Sequence, residues 1–195
     1  KYGERFMIDK TAIIDPSAQI AEDAIIGPNV VIGKNVKIGS KTRVIANAYI
    51  EYAEIGEGCT ISPFATIGSE PQDLGYKGEE TKVVIGDGTI IKENVTVHRG
   101  AACGDFTTRV GKKCLLMVGS HVAHNCVLED EVILANLVTL GGHVHVGFGA
   151  FVGGMSVFHQ NIRIGKMAII SGFSAARQDI LPYSKGEGRP PVPRG

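Results

Sequence analysis

Residues 26–38 read IGPNVVIGKNVKI. Ile26, Ile32 and Ile38 fall six apart, a Gly follows each, and Asn and Val fill the third and fourth places after Ile26 and Ile32. A step of six fits neither the 3.6-residue period of a helix nor the two-residue alternation of a surface strand. It fits a parallel β-helix, in which three six-residue units complete one triangular coil. Each unit is a short strand with its aliphatic residue pointing inward, and Gly, Asn or Asp takes the tight corner. Followed outward, the step runs through Ile8, Ile14, Ile20, Val44 and Ile50. It resumes after a slip of one residue at Ile55, Ile61 and Ile67, and returns at Ile85, Ile91 and Val97. The longest run is Val110, Leu116, Val122, Leu128, Leu134, Leu140, Val146, Val152, Phe158, Ile164 and Ile170. The 26 glycines and the absence of tryptophan suit so narrow an interior. The expected fold is an all-β parallel β-helix over residues 7–180.

Two stretches break the period, Gly68–Val84 (GSEPQDLGYKGEETKVV) and Arg99–Arg109 (RGAACGDFTTR). Both are polar and too long for a corner, so each is expected to project as a loop; such excursions from a repeat scaffold often carry function, and tolerated surface insertions are nearly as common. Residues 1–6 precede Met7 as an N-terminal extension. Residues 181–195 lose the period and are expected to form an extended tail that leaves the coil.

Twenty basic and twenty acidic residues cancel, so nothing favours broad electrostatic capture of nucleic acid or an anionic membrane. No apolar stretch approaches the length of a membrane span, and KYGERFMIDK has no apolar signal core. Cys59, Cys103, Cys114 and Cys126 sit at unpatterned spacings without CxxC. They are expected as free thiols in a reducing compartment, with the cytoplasm as the default.

Three units of six place residues eighteen apart directly above one another, separated by about 4.8 Å. His124, Gly142 and Gln160 then form one column, Asn125, His143 and Asn161 the next, and Ala123, Gly141 and His159 the one on the other side. His121 approaches the same edge from the preceding face. His98 and His145 are expected to be ordinary solvated polar residues, but the clustered histidines mark a candidate site. A zinc site would need ligands converging on one point, about 2.0 Å from each nitrogen, which histidines spread up a column achieve only with ligands from a neighbouring subunit. Cys126 falls on an inward-facing slot, where a buried thiol is inert. A single imidazole acting as general base on a sugar hydroxyl is the simpler chemistry.

GSHVAHNC (119–126), LGGHVHV (140–146), GGMSVFHQ (153–160) and PQDLGYKGE (71–79), in the order loop, base, edge and edge along the hexads, resemble the UDP-N-acetylglucosamine 3-O-acyltransferase family of lipid A biosynthesis. The resemblance covers Met7 to about Gly195. It implies a left-handed coil and a homotrimer with sites between subunits. It also implies transfer of a 3-hydroxyacyl group from acyl carrier protein to the 3-hydroxyl of UDP-N-acetylglucosamine, with no metal and no resident cofactor. By motif, His124 matches the general base and the Gly142 N–H the oxyanion donor. Asp73 matches the residue that grips the sugar hydroxyl, with Gln72 its neighbour; His121, His143, His159 and Gln160 match substrate-contacting positions. Gly172 matches the position that sets acyl length, where the lack of a side chain leaves room for a longer chain.

Three features depart from the family pattern. Gly75 stands where a lysine is usual, with Lys77 two residues on. Asn125 follows the base where some members have Asp. The chain stops at Gly195, where relatives continue into a helical tail, so that tail is largely absent. Three rivals share the hexads. The related N-acyltransferase carries a uridine-binding domain before its coil. A γ-class carbonic anhydrase shows HxxxxH within one coil and needs zinc. A non-enzymatic scaffold would use the histidine edge only for packing.

Overall fold

The computed structural model describes residues 7–188 and 191–194; the N-terminal extension 1–6 lies outside the described residues. Strands of two to four residues stack into three sheets of nine, eight and ten strands, the faces of a triangular prism. Pairing is parallel and keeps the eighteen-residue step, as in His121↔Thr139↔Val157↔Ala175. Ile38 pairs with Ile55, as the one-residue slip requires.

The sixth-residue positions fill the interior: Ile26, Ile32, Ile50, Leu116, Leu128, Leu134 and Leu140 are fully buried. The small residue four places on is buried too, as at Val30, Val36, Cys59, Cys114 and Cys126. In the first described unit Ile8 is 43% exposed. From Asn29 onward the residue before the small slot commonly takes the left-handed conformation, with φ of 54° at Asn29, 58° at Asn125 and 60° at His143. Asn accepts that conformation readily; His143 is held there by its N–H, which donates to the His124 carbonyl at 3.0 Å.

The two interruptions are narrower than the lost periodicity suggests. Strands Thr66–Ser69 and Lys82–Ile85 absorb both ends of the first, and Thr107–Val110 absorbs the end of the second. Backbone pairing sets these limits: Lys82 to Ile85 ladder with Thr107 to Val110 although Lys82 and Val84 do not point inward. The tail also differs from expectation. Lys185–Gly188 pairs in parallel with Ile169–Ile170, and Pro191–Arg194 turns back on it. The last coil otherwise leaves open an edge of donors and acceptors; the Ile169 N–H finds the Ser184 carbonyl and the Ser171 N–H that of Gly186.

Candidate active site

His124 sits at the corner that follows strand His121–Val122, and its side chain is oriented by the residue beside it. Asn125 is buried, with 7% exposure. Its Oδ1 accepts from the Ala101 N–H at 2.9 Å and its Nδ2 donates to the Ala101 carbonyl at 3.1 Å. Those two bonds fix which end of the amide faces which way. The same Oδ1 lies 2.9 Å from His124 Nδ1. An oxygen has no proton to give, so Nδ1 carries the hydrogen and the lone pair of the neutral ring is on Nε2.

One coil below, Gly142 lies under that ring. A Cβ at this position would sit 2.6 Å from His124 Nε2 and 2.7 Å from Cε1, so only glycine leaves the imidazole its place. Gly142 fills the first corner slot of its unit, the slot held elsewhere by Pro16, Pro28 and Pro63. Proline has no N–H to give, so this slot needs no intrachain acceptor. The Gly142 N–H donates to no group among the described residues.

His143 stacks edge-on against His124, centroids 5.2 Å apart. Burial, then the neighbouring His124, lowers its pKa. From the first loop, Asp73 accepts the Gly75 N–H at 2.9 Å, which holds its carboxyl below the usual range. From the second loop, Cys103 reaches in, its Sγ 3.3 Å from His143 Nε2 and 3.6 Å from Asp73 Oδ2. Burial and Asp73 raise the pKa of this thiol. Its loop position put Cys103 outside any column, and periodic reading missed it.

His121 flanks the site half-buried, its Nδ1 2.7 Å from Thr96 Oγ1, and burial lowers its pKa. Its ring meets that of His98 edge-on at 4.9 Å. His98 corrects the expectation of a solvated residue: it is 8% exposed, and its Nδ1 has no hydrogen-bond partner among the described residues. Val97 pairs with Val122, so His98 lies over Ala123. The second loop widens the step to 25 residues here, so an eighteen-residue count does not reach it. His145 does behave as a surface residue, bonded to Glu129 at 2.8 Å.

Burial, followed by the positive potentials of His121, His124 and Arg99, pushes the His98 pKa down to about 4. The ordinary value is about 6.5, so as pH falls the unfolded chain takes a proton that the folded one refuses. Stability from this group is intact above about pH 6.5 and declines until about pH 4, by about 3 kcal/mol in all. His98→Gln is expected to flatten that part of the pH dependence, read from denaturant midpoints at neutral and acid pH. An unchanged slope would contradict the assignment.

The other expected site residues are more dispersed. His159 and Gln160 continue the edge two coils below His124, both exposed, with His159 Nδ1 3.3 Å from the Gln160 carbonyl and no ring contact to the cluster. Gln72 is exposed beside Asp73. Gly172 lies on a different edge, at the corner after strand Ile169–Ile170, where a Cβ would meet the Gly154 carbonyl at 3.2 Å. Cys126 is fully buried, and desolvation pushes its thiol up to about 12, consistent with an inert inward residue. No helix among the described residues is long and apolar enough to cross a membrane.

Known proteins share this coil. The family model described as GMPPB C-terminal domain matches residues 8–101 and stops short of His121 to His143. The acyl-[acyl-carrier-protein]–UDP-N-acetylglucosamine O-acyltransferase of Synechocystis sp. is 47% identical over 137 residues, 70% of this chain and 49% of that protein. That of Helicobacter pylori is 43% identical over 141 residues, 72% of this chain and 52% of that protein. The chain thus spans about half the length of the curated relatives it matches. Among solved structures, LpxA from Acinetobacter baumannii superposes with a TM-score of 0.96 at 41% identity, covering 97% of this chain and 74% of that one. The Arabidopsis UDP-N-acetylglucosamine acyltransferase gives 0.82 at 30% identity, covering 96% and 73%. The coil is the left-handed parallel β-helix of these structures. By its fold and by this degree of identity along the coil, the chain belongs to the UDP-N-acetylglucosamine O-acyltransferase family.

Proposed function

We propose that this protein transfers a 3-hydroxyacyl group from acyl carrier protein to the 3-hydroxyl of UDP-N-acetylglucosamine, the first step of lipid A biosynthesis, with His124 as general base. The observation that carries this reading is the orientation of one imidazole: Nδ1–H is held by Asn125 Oδ1, and Nε2 lies against Gly142, whose N–H has no acceptor among the described residues. Nε2 removes the proton of the sugar hydroxyl as its oxygen attacks the thioester carbonyl. The tetrahedral oxyanion takes the Gly142 N–H, and its collapse expels the carrier thiolate, which recovers the proton from Nε2. An ester and a free carrier thiol result, and the imidazole returns to its starting state. No metal or resident cofactor is needed for that sequence.

Asp73, on the loop facing His124 and His143, is suited to hold the sugar hydroxyl, with Gln72 beside it. His121, His143, His159 and Gln160 line the way in along the edge. Gly172 fits an acyl ruler only if a second copy brings its edge to this site. The edge beside it is apolar, since Leu137, Met155 and Phe173 stack at the eighteen-residue step and are 47%, 47% and 61% exposed. An apolar edge of this kind supports self-association, proposed as a homotrimer with sites between subunits; the proposed location is the cytoplasm, where carrier protein and sugar nucleotide are met.

Release of carrier thiol from a 3-hydroxyacyl thioester, followed with and without UDP-N-acetylglucosamine, tests the proposal. Sugar-dependent release is expected, and none would overturn it. Gly142→Ala is expected to lower this rate about 100-fold, because its Cβ must displace the base from its working position. Undiminished turnover in that variant would contradict the stacking of His124 on Gly142.

A further inference from the structure

We infer that Cys103, His124 and His143, with Asp73 at their side, form a binding site for a thiophilic divalent cation of the zinc class, and that such a cation shuts off the enzyme by occupying its base. The inhibitory part of this inference rests on the reading of His124 as general base; the binding part does not.

One donor atom from each of Cys103, His124 and His143 lies within 4.8 Å of the others. A tetrahedral zinc ion with a thiolate at about 2.3 Å and an imidazole at about 2.0 Å holds sulfur and nitrogen about 3.5 Å apart. Cys103 Sγ and His143 Nε2 are already at 3.3 Å. Sulfur and a carboxylate oxygen in the same geometry are also about 3.5 Å apart, and Cys103 Sγ to Asp73 Oδ2 is 3.6 Å. Two edges of the tetrahedron, both ending on Cys103 Sγ, are thus close to their final spacing. The third donor of the group is His124, whose Nδ1 is engaged by Asn125, so the lone pair it can offer is on Nε2. Asn125 thereby plays the part of the hydrogen-bonding group that orients a metal-ligating histidine from behind.

The ligand set is one soft thiolate and two imidazoles, with a carboxylate beside the sulfur, which selects zinc, cobalt or cadmium over magnesium or calcium. Binding replaces the Cys103 S–H proton, released to solvent, by a metal–sulfur bond. The ligands come from the second loop and from two successive coils, with Asp73 of the first loop beside the sulfur, so the cation would tie the second loop to the coil across the acceptor position. Inhibition should therefore be competitive with the sugar nucleotide. Cys59, Cys114 and Cys126 are buried inside the coil and offer no rival thiol at the surface.

Chelator-treated protein titrated with Co²⁺ is the test. One equivalent is expected to raise a thiolate-to-cobalt charge-transfer band, and Cys103→Ser to abolish it and weaken binding at least tenfold, a loss at least as large as that from removing an outer-shell partner. His143→Gln is expected to keep the band and weaken binding. In parallel, micromolar-range Zn²⁺ is expected to inhibit acyl transfer in a way relieved by UDP-N-acetylglucosamine, while the ratio of rates with and without Zn²⁺ stays near one in Cys103→Ser. Absence of the band, or a band indifferent to Cys103→Ser, overturns the site; full turnover with the cation bound overturns its inhibitory role. A Cys103-dependent band in protein that transfers no acyl group without metal would leave the site standing and reject the proposed function.

Discussion

His124→Ala protein is expected to lose acyl transfer by about 10²- to 10⁴-fold, the range a positioned general base contributes, while keeping its coil and assembly state. The side chain lies at a half-buried corner and takes no part in the buried aliphatic stack, so truncation leaves the interior untouched. What disappears is the Nε2 lone pair that Asn125 holds in place through Nδ1. An amide in this role can fix the tautomer, although it lacks the charge with which a carboxylate would stabilise the imidazolium. It succeeds here because the Ala101 N–H and carbonyl pin both ends of the amide. Turnover numbers at saturating substrate, measured beside circular dichroism and sedimentation, separate loss of the base from loss of structure. Undiminished activity in an intact assembly would reject His124 as the base.

Arg99→Ala is expected to cost about 3–5 kcal/mol, as removal of one partner from a buried ion pair does. Arg99 is 5% exposed. Its Nη1 donates to Glu51 Oε1 at 3.1 Å and to the Gly68 carbonyl at 2.8 Å, its Nη2 and Nε reach Tyr76 Oη at 3.1 and 3.3 Å, and its guanidinium lies 4.5 Å over the Tyr52 ring. The bond to Glu70 is well exposed and adds little. Truncation leaves Glu51 and the Gly68 carbonyl without their cation and releases the loop that carries Asp73. Hydrogen exchange over residues 70–81 should accelerate together with the fall in denaturant midpoint. A Lys at this position cannot reproduce the planar fork and is expected to recover only part of the loss. Stability unchanged in Arg99→Ala would contradict the role of this residue as the anchor of the first loop.

The coil and one edge of the site were legible because a strict step of six maps sequence distance directly onto space. Val122↔Leu140 and Leu140↔Phe158 are partners, as column counting requires, and Gly142 lies under His124 for the same reason. Where the step fails, so does the map. Cys103 comes from a loop whose path depends on the Asn125–Ala101 bonds, which no periodicity encodes. His98 lies beyond that loop, so an eighteen-residue count does not reach it. The tail was misjudged for a related reason: backbone donors on the open edge of the last coil recruit Lys185–Gly188 whatever its side-chain pattern.

Mass spectrometry of the sugar nucleotide tests most directly whether His124 directs an acyl group onto a sugar hydroxyl. After incubation with 3-hydroxyacyl carrier protein, the wild-type protein is expected to yield UDP-N-acetylglucosamine heavier by one hydroxyacyl group, attached as a hydroxylamine-labile ester at the 3-position, and His124→Ala is expected to yield almost none. Unmodified sugar nucleotide from the wild-type protein, or equal product from both, would contradict it.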